Sequence, residues 1–280
     1  MVQVRRLPLW ILLVAPALGV CLGTLAYSQP ISVRGDRWLT VTALSGKVDL
    51  TSYRSRQRQA RLGDHLDRVG DMITTGSNAS VSLNVDLATG SLTMSENSQL
   101  QVQALSITPA GGRVTELLVR RGQVRVRARP LTNPDTRLEI HTPAGVSGVR
   151  GTDFGVSVQP TGQTGVATIE GRVIASAQGQ TVSVGTALQS SIYPGDPPTP
   201  PEPLRNDPTL YIERLTSSGT TVRIVGQTDL VNLLEIGDQP QVLSRAGRFD
   251  LSLPLPSDRR IEAMVTTPLG TQQKYQLVVP

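Results

Sequence analysis

The sequence predicts an all-β protein built from two successive sandwich-like parts. Three observations carry this. Apolar residues recur with period two, the mark of strands with one buried face. No convincing amphipathic helix follows residue 30; one turn between Leu62 and Val69 is the most the pattern allows. Gly, Asn, Asp, Ser and Pro punctuate the strands where turns are required.

The first element is an export signal over residues 1–28. Arg5 and Arg6 precede an uncharged apolar run from Leu7 to Leu25, and Ala26-Tyr27-Ser28 places small residues at the exit. The mature chain is expected to begin near Gln29, in the periplasm or cell envelope. Left uncut, the same run would serve as an inner-membrane anchor, although Pro8, Pro16, Gly19 and Gly23 weaken it as a spanning helix. Cys21 is the only cysteine, so cleavage removes every thiol and leaves burial to hold the protein together. Removing Arg5 and Arg6 from 27 basic residues against 22 acidic ones leaves 25 against 22. That small excess and this compartment make nucleic acid an improbable partner. Aromatic residues are only 3% of the chain, which argues against stacking platforms for sugars or bases.

Residues 30–193 read as one large β domain, a sandwich or an irregular coil of stacked hairpins. Its clearest strands pass through Val81, Leu83, Val85 and Leu87; through Leu100, Val102 and Ala104; through Val124, Val126 and Ala128; and through Phe154, Val156 and Val158. Each is expected to be buried on one face. A Gly-x-Val phrase recurs at Gly46-Lys47-Val48, Gly122-Gln123-Val124 and Gly171-Arg172-Val173, where glycine supplies a tight turn and valine opens the next strand. Residues 194–208 contain six prolines between Pro194 and Pro203 and reach Pro208; they are expected to form a solvated, semi-rigid spacer. Residues 209–280 alternate through Val222, Ile224, Leu234, Ile236, Phe249, Leu251, Ile261, Ala263, Tyr275 and Leu277. Short strands, turn signals about every ten residues and some 70 residues in all suit a small immunoglobulin-like sandwich.

Catalytic chemistry has little to stand on. The only histidines are His65 and His141, in no metal-binding spacing. Loop carboxylates Asp64, Asp67 and Asp71 could hold calcium, but the EF-hand spacing is missing. Ser147 lies in Gly145-Val146-Ser147-Gly148-Val149, which is not a nucleophile elbow because the second glycine falls early. The expectation is a protein that is not an enzyme and uses no cofactor and no metal. Two segments carry functional interest. Arg125, Arg127 and Arg129 share one face of one strand and could contact a polyanion; the alternative is an edge strand kept soluble by charge. The turn Arg150-Gly151-Thr152-Asp153-Phe154 reads as a packing lock, with Thr152 and Asp153 capping backbone amides and Arg150 pairing with Asp153 or Glu170.

Taken in order, Gly70-Asp71-Met72-Ile73, Thr89-Gly90-Ser91, Glu96-Asn97-Ser98-Gln99-Leu100, Arg121-Gly122-Gln123-Val124-Arg125-Val126, Thr142-Pro143-Ala144, Gly148-Val149-Arg150-Gly151-Thr152-Asp153-Phe154 and Glu170-Gly171-Arg172-Val173 resemble the FecR periplasmic domain family over about residues 39–193. The resemblance assigns structural or partner-binding roles to Gly148, Arg150, Gly151, Thr152, Asp153, Phe154, Glu170 and Gly171. It implies a sensor or interaction scaffold in the envelope. Only six residues precede the apolar run, so the cytoplasmic anti-sigma segment of the best-known members is not expected. The partner would be an envelope protein or a polysaccharide, with a membrane only if the signal stays uncut. The alternative reading is a module recognising an anionic cell-wall or capsular polymer.

Overall fold

The computed structural model describes residues 37–53, 57–86 and 89–280. The export segment, Cys21 and Leu87 lie outside them. Every regular element described is a strand, and the proposed helical turn between Leu62 and Val69 is replaced by bends around the two-residue strand His65–Leu66.

Seventeen strands form two layers that share one member. The first sheet runs His65–Leu66, Leu39–Ser45, Ser80–Val85, Gly90–Met94, Arg113–Ala128, Asp153–Val158, Thr164–Glu170, Leu188–Ile192, Glu202–Pro203, antiparallel throughout. The second runs Arg58–Gln59, Val48–Thr51, Met72–Thr75, Gln99–Ile107, Arg113–Ala128, Arg137–His141, Val146–Val149, Arg172–Ala177, Gln180–Gly185. Its one parallel pairing joins Arg137–His141 to the shared strand. Along the chain, hairpins alternate between the layers, so the fold is both a sandwich and a coil of stacked hairpins. Leu83, Leu92, Leu100, Leu117, Leu138, Phe154 and Val173 meet in one core fed by both sheets.

The recurring Gly-x-Val phrase marks places where the chain changes sheets. Gly122 (φ 85°) bends the shared strand: residues up to Arg121 pair in the second sheet, and those from Gly122 onward pair in the first. A Cβ there would strike the Ser98 backbone and side chain. At Gly171 (φ 84°) a Cβ would sit 2.6 Å from the Gly151 carbonyl. Gly46 makes the third crossing, and Val48, Val124 and Val173 are all buried just after the turns. The start of the described chain is tied down by Arg37. Its buried guanidinium donates to the Asp86 carboxylate (2.7 and 3.1 Å), to the Ser106 carbonyl and to the Thr115 hydroxyl. A buried charge needs this many partners to be tolerated.

Residues 211–278 form a second pair of sheets with its own core of Val222, Ile224, Leu234, Phe249, Ile261 and Val265. Tyr211–Ser218, Thr221–Gln227 and Arg248–Pro254 make one sheet. Gln239–Pro240, Leu233–Ile236, Arg260–Thr266 and Gln272–Val278 make the other. Tyr275 donates its hydroxyl to the Pro208 carbonyl (3.0 Å) and accepts from the Leu210 amide (3.2 Å), pinning the lead-in to this part.

The two parts are joined more closely than the sequence suggests. The proline-rich stretch leaves Pro194, Pro197, Pro200 and Pro203 exposed but is also held against the first sheet. Ser191 donates its amide to the Thr199 hydroxyl (2.9 Å), Ser190 donates its hydroxyl to the Thr199 carbonyl (2.7 Å), and Glu202–Pro203 extends the first sheet. Proline is accepted because it sits on an edge, where the missing N–H is not needed. The strand Asp153–Val158 is likewise not half-buried. Phe154, Val156 and Val158 face the core, while Gly155, Ser157 and Gln159 are covered by loops of the second part. Gln159 donates to the Leu230 and Asn232 carbonyls (2.9 and 3.2 Å), Gln163 to Leu230 (2.9 Å) and Gln123 to Pro268 (2.8 Å). Ser157 donates to Val231, and the Pro268 carbonyl occupies the space a Cβ on Gly155 would need.

Two neighbouring substitutions therefore have opposite signatures. Phe154→Ala should open a core cavity and cost about 3–5 kcal/mol. Gly155→Leu should leave that core alone but force the second part off the sheet. Calorimetry should then show one unfolding transition for the parent and for Phe154→Ala, and two for Gly155→Leu. A single transition in Gly155→Leu would refute the tight seating.

Candidate functional site

The arginine stripe and the Arg150–Phe154 turn, separate in the sequence, meet on one surface. Asp153 pairs in register with Arg127 across the first sheet. Its carboxylate accepts a fork from Arg125 (Nε and Nη2, both 2.8 Å) and a longer bond from Arg127 Nε (3.3 Å). Bidentate geometry of this kind fixes both groups. Burial raises the Asp153 pKa, but the two guanidiniums outweigh it and hold the carboxyl below its ordinary value, while Arg125 is raised by the same contact. Arg127 stays 62% exposed. Arg129 lies beyond the strand end, exposed, with its amide on the Thr89 carbonyl. Ser91, Thr93, Ser95, Leu269 and Gly270 complete the rim of a 210 Å³ depression beside Arg125 and Arg127.

This overturns three expectations. The stripe is not on an edge strand: Arg113–Ala128 has neighbours on both sides in each sheet. Arg150 does not pair with Asp153 or Glu170 but donates to the Pro134 carbonyl, because the chain crosses from one sheet to the other between residues 149 and 153 and carries Arg150 away. Nor do Thr152 and Asp153 cap amides. Thr152 is buried with its hydroxyl unpartnered among the described residues, and Asp153 is taken by arginines.

The glycines of the turn have different reasons. Gly151 (φ 82°) lies against Pro130, where a Cβ would approach its Cα to 2.7 Å, and its carbonyl is what Gly171 must clear. Gly148 faces outward on the second sheet with open space above it. Glu170 is exposed opposite Asp153 in the strand register and makes no ion pair among the described residues. Phe154 is fully buried.

Two of the three loop carboxylates proposed for calcium are already engaged, while Asp67 stays 53% exposed, 3.9 Å from Arg68. Asp71, buried, accepts from the Ser52 hydroxyl and the amides of Tyr53, Asp67 and Arg68 (2.9–3.1 Å). Asp64 is forked by Arg58 (2.7 and 2.9 Å), which pulls its pKa down. His65 stacks on Trp38. His141 lies 3.3 Å from Glu139, near Glu116; Arg137 already bridges the two glutamates at 3.0 and 3.7 Å and supplies the charge a cation would bring.

One group was invisible to sequence reasoning. Glu235 lies at the junction of the two parts, in a cleft of about 490 Å³ that Arg120, Arg121, Gln99 and Gln241 also line. Burial lifts its pKa to about 7; the Glu96 charge adds to this, and the Asn97 side-chain amide (2.7 Å) opposes it. Glu96 and Glu235 are 139 residues apart, so no local pattern signals them.

Residues 71–174 match the family model described as FecR protein. The match covers the strands that supply Arg125, Arg127 and Asp153. No curated protein matches the chain. Among solved structures, a polysaccharide lyase aligns over 87% of this chain at 7% identity and a TM-score of 0.20. The chain spans 40% of that protein's length, and a likeness this distant carries no argument.

Two outcomes follow from the electrostatics. A double-mutant cycle of Arg125→Ala and Asp153→Ala should show a coupling of about 1–2 kcal/mol. Because the folded Asp153 pKa is lowered, that coupling should hold at neutral pH and disappear as acid protonates the folded carboxylate; an uncoupled pair would refute the fork. Glu235 has the opposite sign. Its folded pKa is raised from 4.5 to about 7, so the folded state holds the extra proton and stability is lost as pH rises across that interval. Thermal melts of Glu235→Gln should lack this decline and exceed the parent at pH 8.

Proposed function

We propose that this protein is a non-catalytic sensor or interaction scaffold of the bacterial envelope, exported through its N-terminal segment, in which the FecR domain presents the partner-binding surface. The observation that carries the reading is the FecR match over residues 71–174, whose strands build the arginine–aspartate patch. Asp153 fixes Arg125 and only partly engages Arg127, while Arg129 projects nearby. A preorganised guanidinium cluster suits an acidic partner surface, since little side-chain freedom is lost on binding. The second part serves as an immunoglobulin-like sandwich: seven antiparallel strands in sheets of three and four support that reading. Its loops cover the outer face of the first sheet, so it stiffens the sensor and leaves the arginine patch at its margin.

The test is crosslinking in intact cells, with a photoreactive residue replacing Arg129. A discrete envelope protein should be captured, and capture should fall at least tenfold when Arg127→Glu reverses the local charge. Crosslinks to polysaccharide would transfer the patch to the anionic-polymer reading. Equal capture by Arg127→Glu, or recovery of the protein from the cytoplasm, would overturn the proposal.

A further inference from the structure

The outer face of the second sheet carries a groove of about 620 Å³ that the reading above leaves unused. Its centre is Gly148. In the strand register Gly148 sits between Glu139 on one side and Ile174 on the other. Two other glycines line the groove, and both have structural reasons: Gly151 and Gly171 adopt positive φ and would collide with backbone if given a side chain. Gly148 has neither reason. It is not among the positive-φ glycines, and a Cβ on it would meet nothing within 4 Å. The fold would accept a larger residue there. What a larger residue would remove is the groove itself.

The rim is basic. Arg137, Arg150 and Arg172 stand along it. Arg137 is neutralised by Glu116 and Glu139. Arg150 is steered by the Pro134 carbonyl, which orients a guanidinium without cancelling its charge. Arg172 is exposed and makes no ion pair among the described residues. Arg150 and Arg172 therefore remain as cations with no carboxylate partner among the described residues, while Glu116 and Glu139 together exceed Arg137 by one negative charge on the other side of Gly148. The floor has a different character. Leu138 and Val149 turn their side chains into the core behind it, so the apolar surface comes from the backbone around Gly148 and from Ile174, which stands 41% exposed at the side. Gly148 is paired with strands on both sides, so the floor offers no free amide to a hydroxyl-rich ligand. A sugar would find little to bond there. An aliphatic body ending in an anion would satisfy both the floor and the rim.

We propose that the groove over Gly148 binds a segment of a partner protein in which an acidic side chain, held by Arg150 and Arg172, lies next to an aliphatic one seated over Gly148 against Ile174. The groove and the Arg125–Asp153 patch lie on different sheets, so either can fail while the other stands.

The experiment uses the full chain and fluorescence anisotropy of a labelled ten-residue peptide of alternating Glu and Leu. Labelled alternating Gln and Leu, and labelled polygalacturonate, are run beside it. The Glu–Leu peptide should bind, and the other two should not. Gly148→Leu and Arg172→Ser should each weaken binding roughly tenfold, equivalent to about 1.4 kcal/mol. Arg260→Ser, which removes an exposed arginine of the second part, should change nothing. Parent-like thermal melting of Gly148→Leu should show that the groove has been filled without loss of the fold, and Arg172→Ser tests the rim without entering the floor. The proposal is overturned if the Glu–Leu peptide does not bind, or if Gly148→Leu binds it as well as the parent. Equal loss in Arg260→Ser would reduce the effect to bulk charge, and preferential binding of polygalacturonate or the Gln–Leu peptide would exclude the acidic–aliphatic segment.

Discussion

The architecture depends on one strand serving two sheets. Arg113–Ala128 pairs with Gln99–Ile107 and Arg137–His141 before Gly122, and with Gly90–Met94 and Asp153–Val158 after it. A strand can change layers only if its backbone turns sharply while its hydrogen bonds are taken up on both sides of the turn. Gly122 makes this possible, because its positive φ and its closeness to Ser98 exclude a side chain. Val119 and Val124 then point into the same core from different sheets. The neighbouring hairpins inherit their order from this crossing, and the Gly46 and Gly171 turns repeat it on a smaller scale.

The same crossing sets what each surface can do. It brings Arg125 and Arg127 beside Asp153 on the first sheet and leaves Arg137, Gly148 and Arg172 on the outer face of the second. Within the first sheet, strands Asp153–Val158 and Thr164–Glu170 are buried on both faces for most of their length. One face packs by aliphatic contact. The other carries glycine, serine and glutamine, which suit close approach by loop backbone and satisfy its carbonyls. A sheet in this position cannot be a free binding face, so surface chemistry is displaced to the margin near Arg127 and to the opposite sheet.

Electrostatics divides along the same lines. Arg37 and Asp86 are buried and fully used in holding the start of the described chain. Asp153 is partly exposed and organises arginines without consuming them. Glu235 is buried at the junction and further crowded by Glu96, and its pKa is lifted to about 7. These three carboxylates have the same chemistry and three different roles, set by how much water and how many cations each retains.

The all-β class, the strand alternation, the glycine turns of the Gly-x-Val phrase and the FecR resemblance were legible in the sequence; that those turns change sheets was not. Each legible feature depends on local spacing: period two for a pleated strand, a glycine wherever φ must be positive, and ordered motifs along the chain. Three further things were decided only by tertiary structure. The proline-rich stretch is held because Thr199 meets Ser190 and Ser191. The polar positions of Asp153–Val158 are buried because the backbone at Val231, 74 residues further along the chain than Ser157, and at Pro268 arrives over them, and nothing in the neighbouring sequence announces it. Asp153 chooses Arg125 over Arg150 because cross-strand register outweighs closeness in sequence. Alternation tells which residues share a face of a strand. Which strand lies beside it, and what covers the face, depends on contacts between distant segments, and those are settled only when the chain closes on itself.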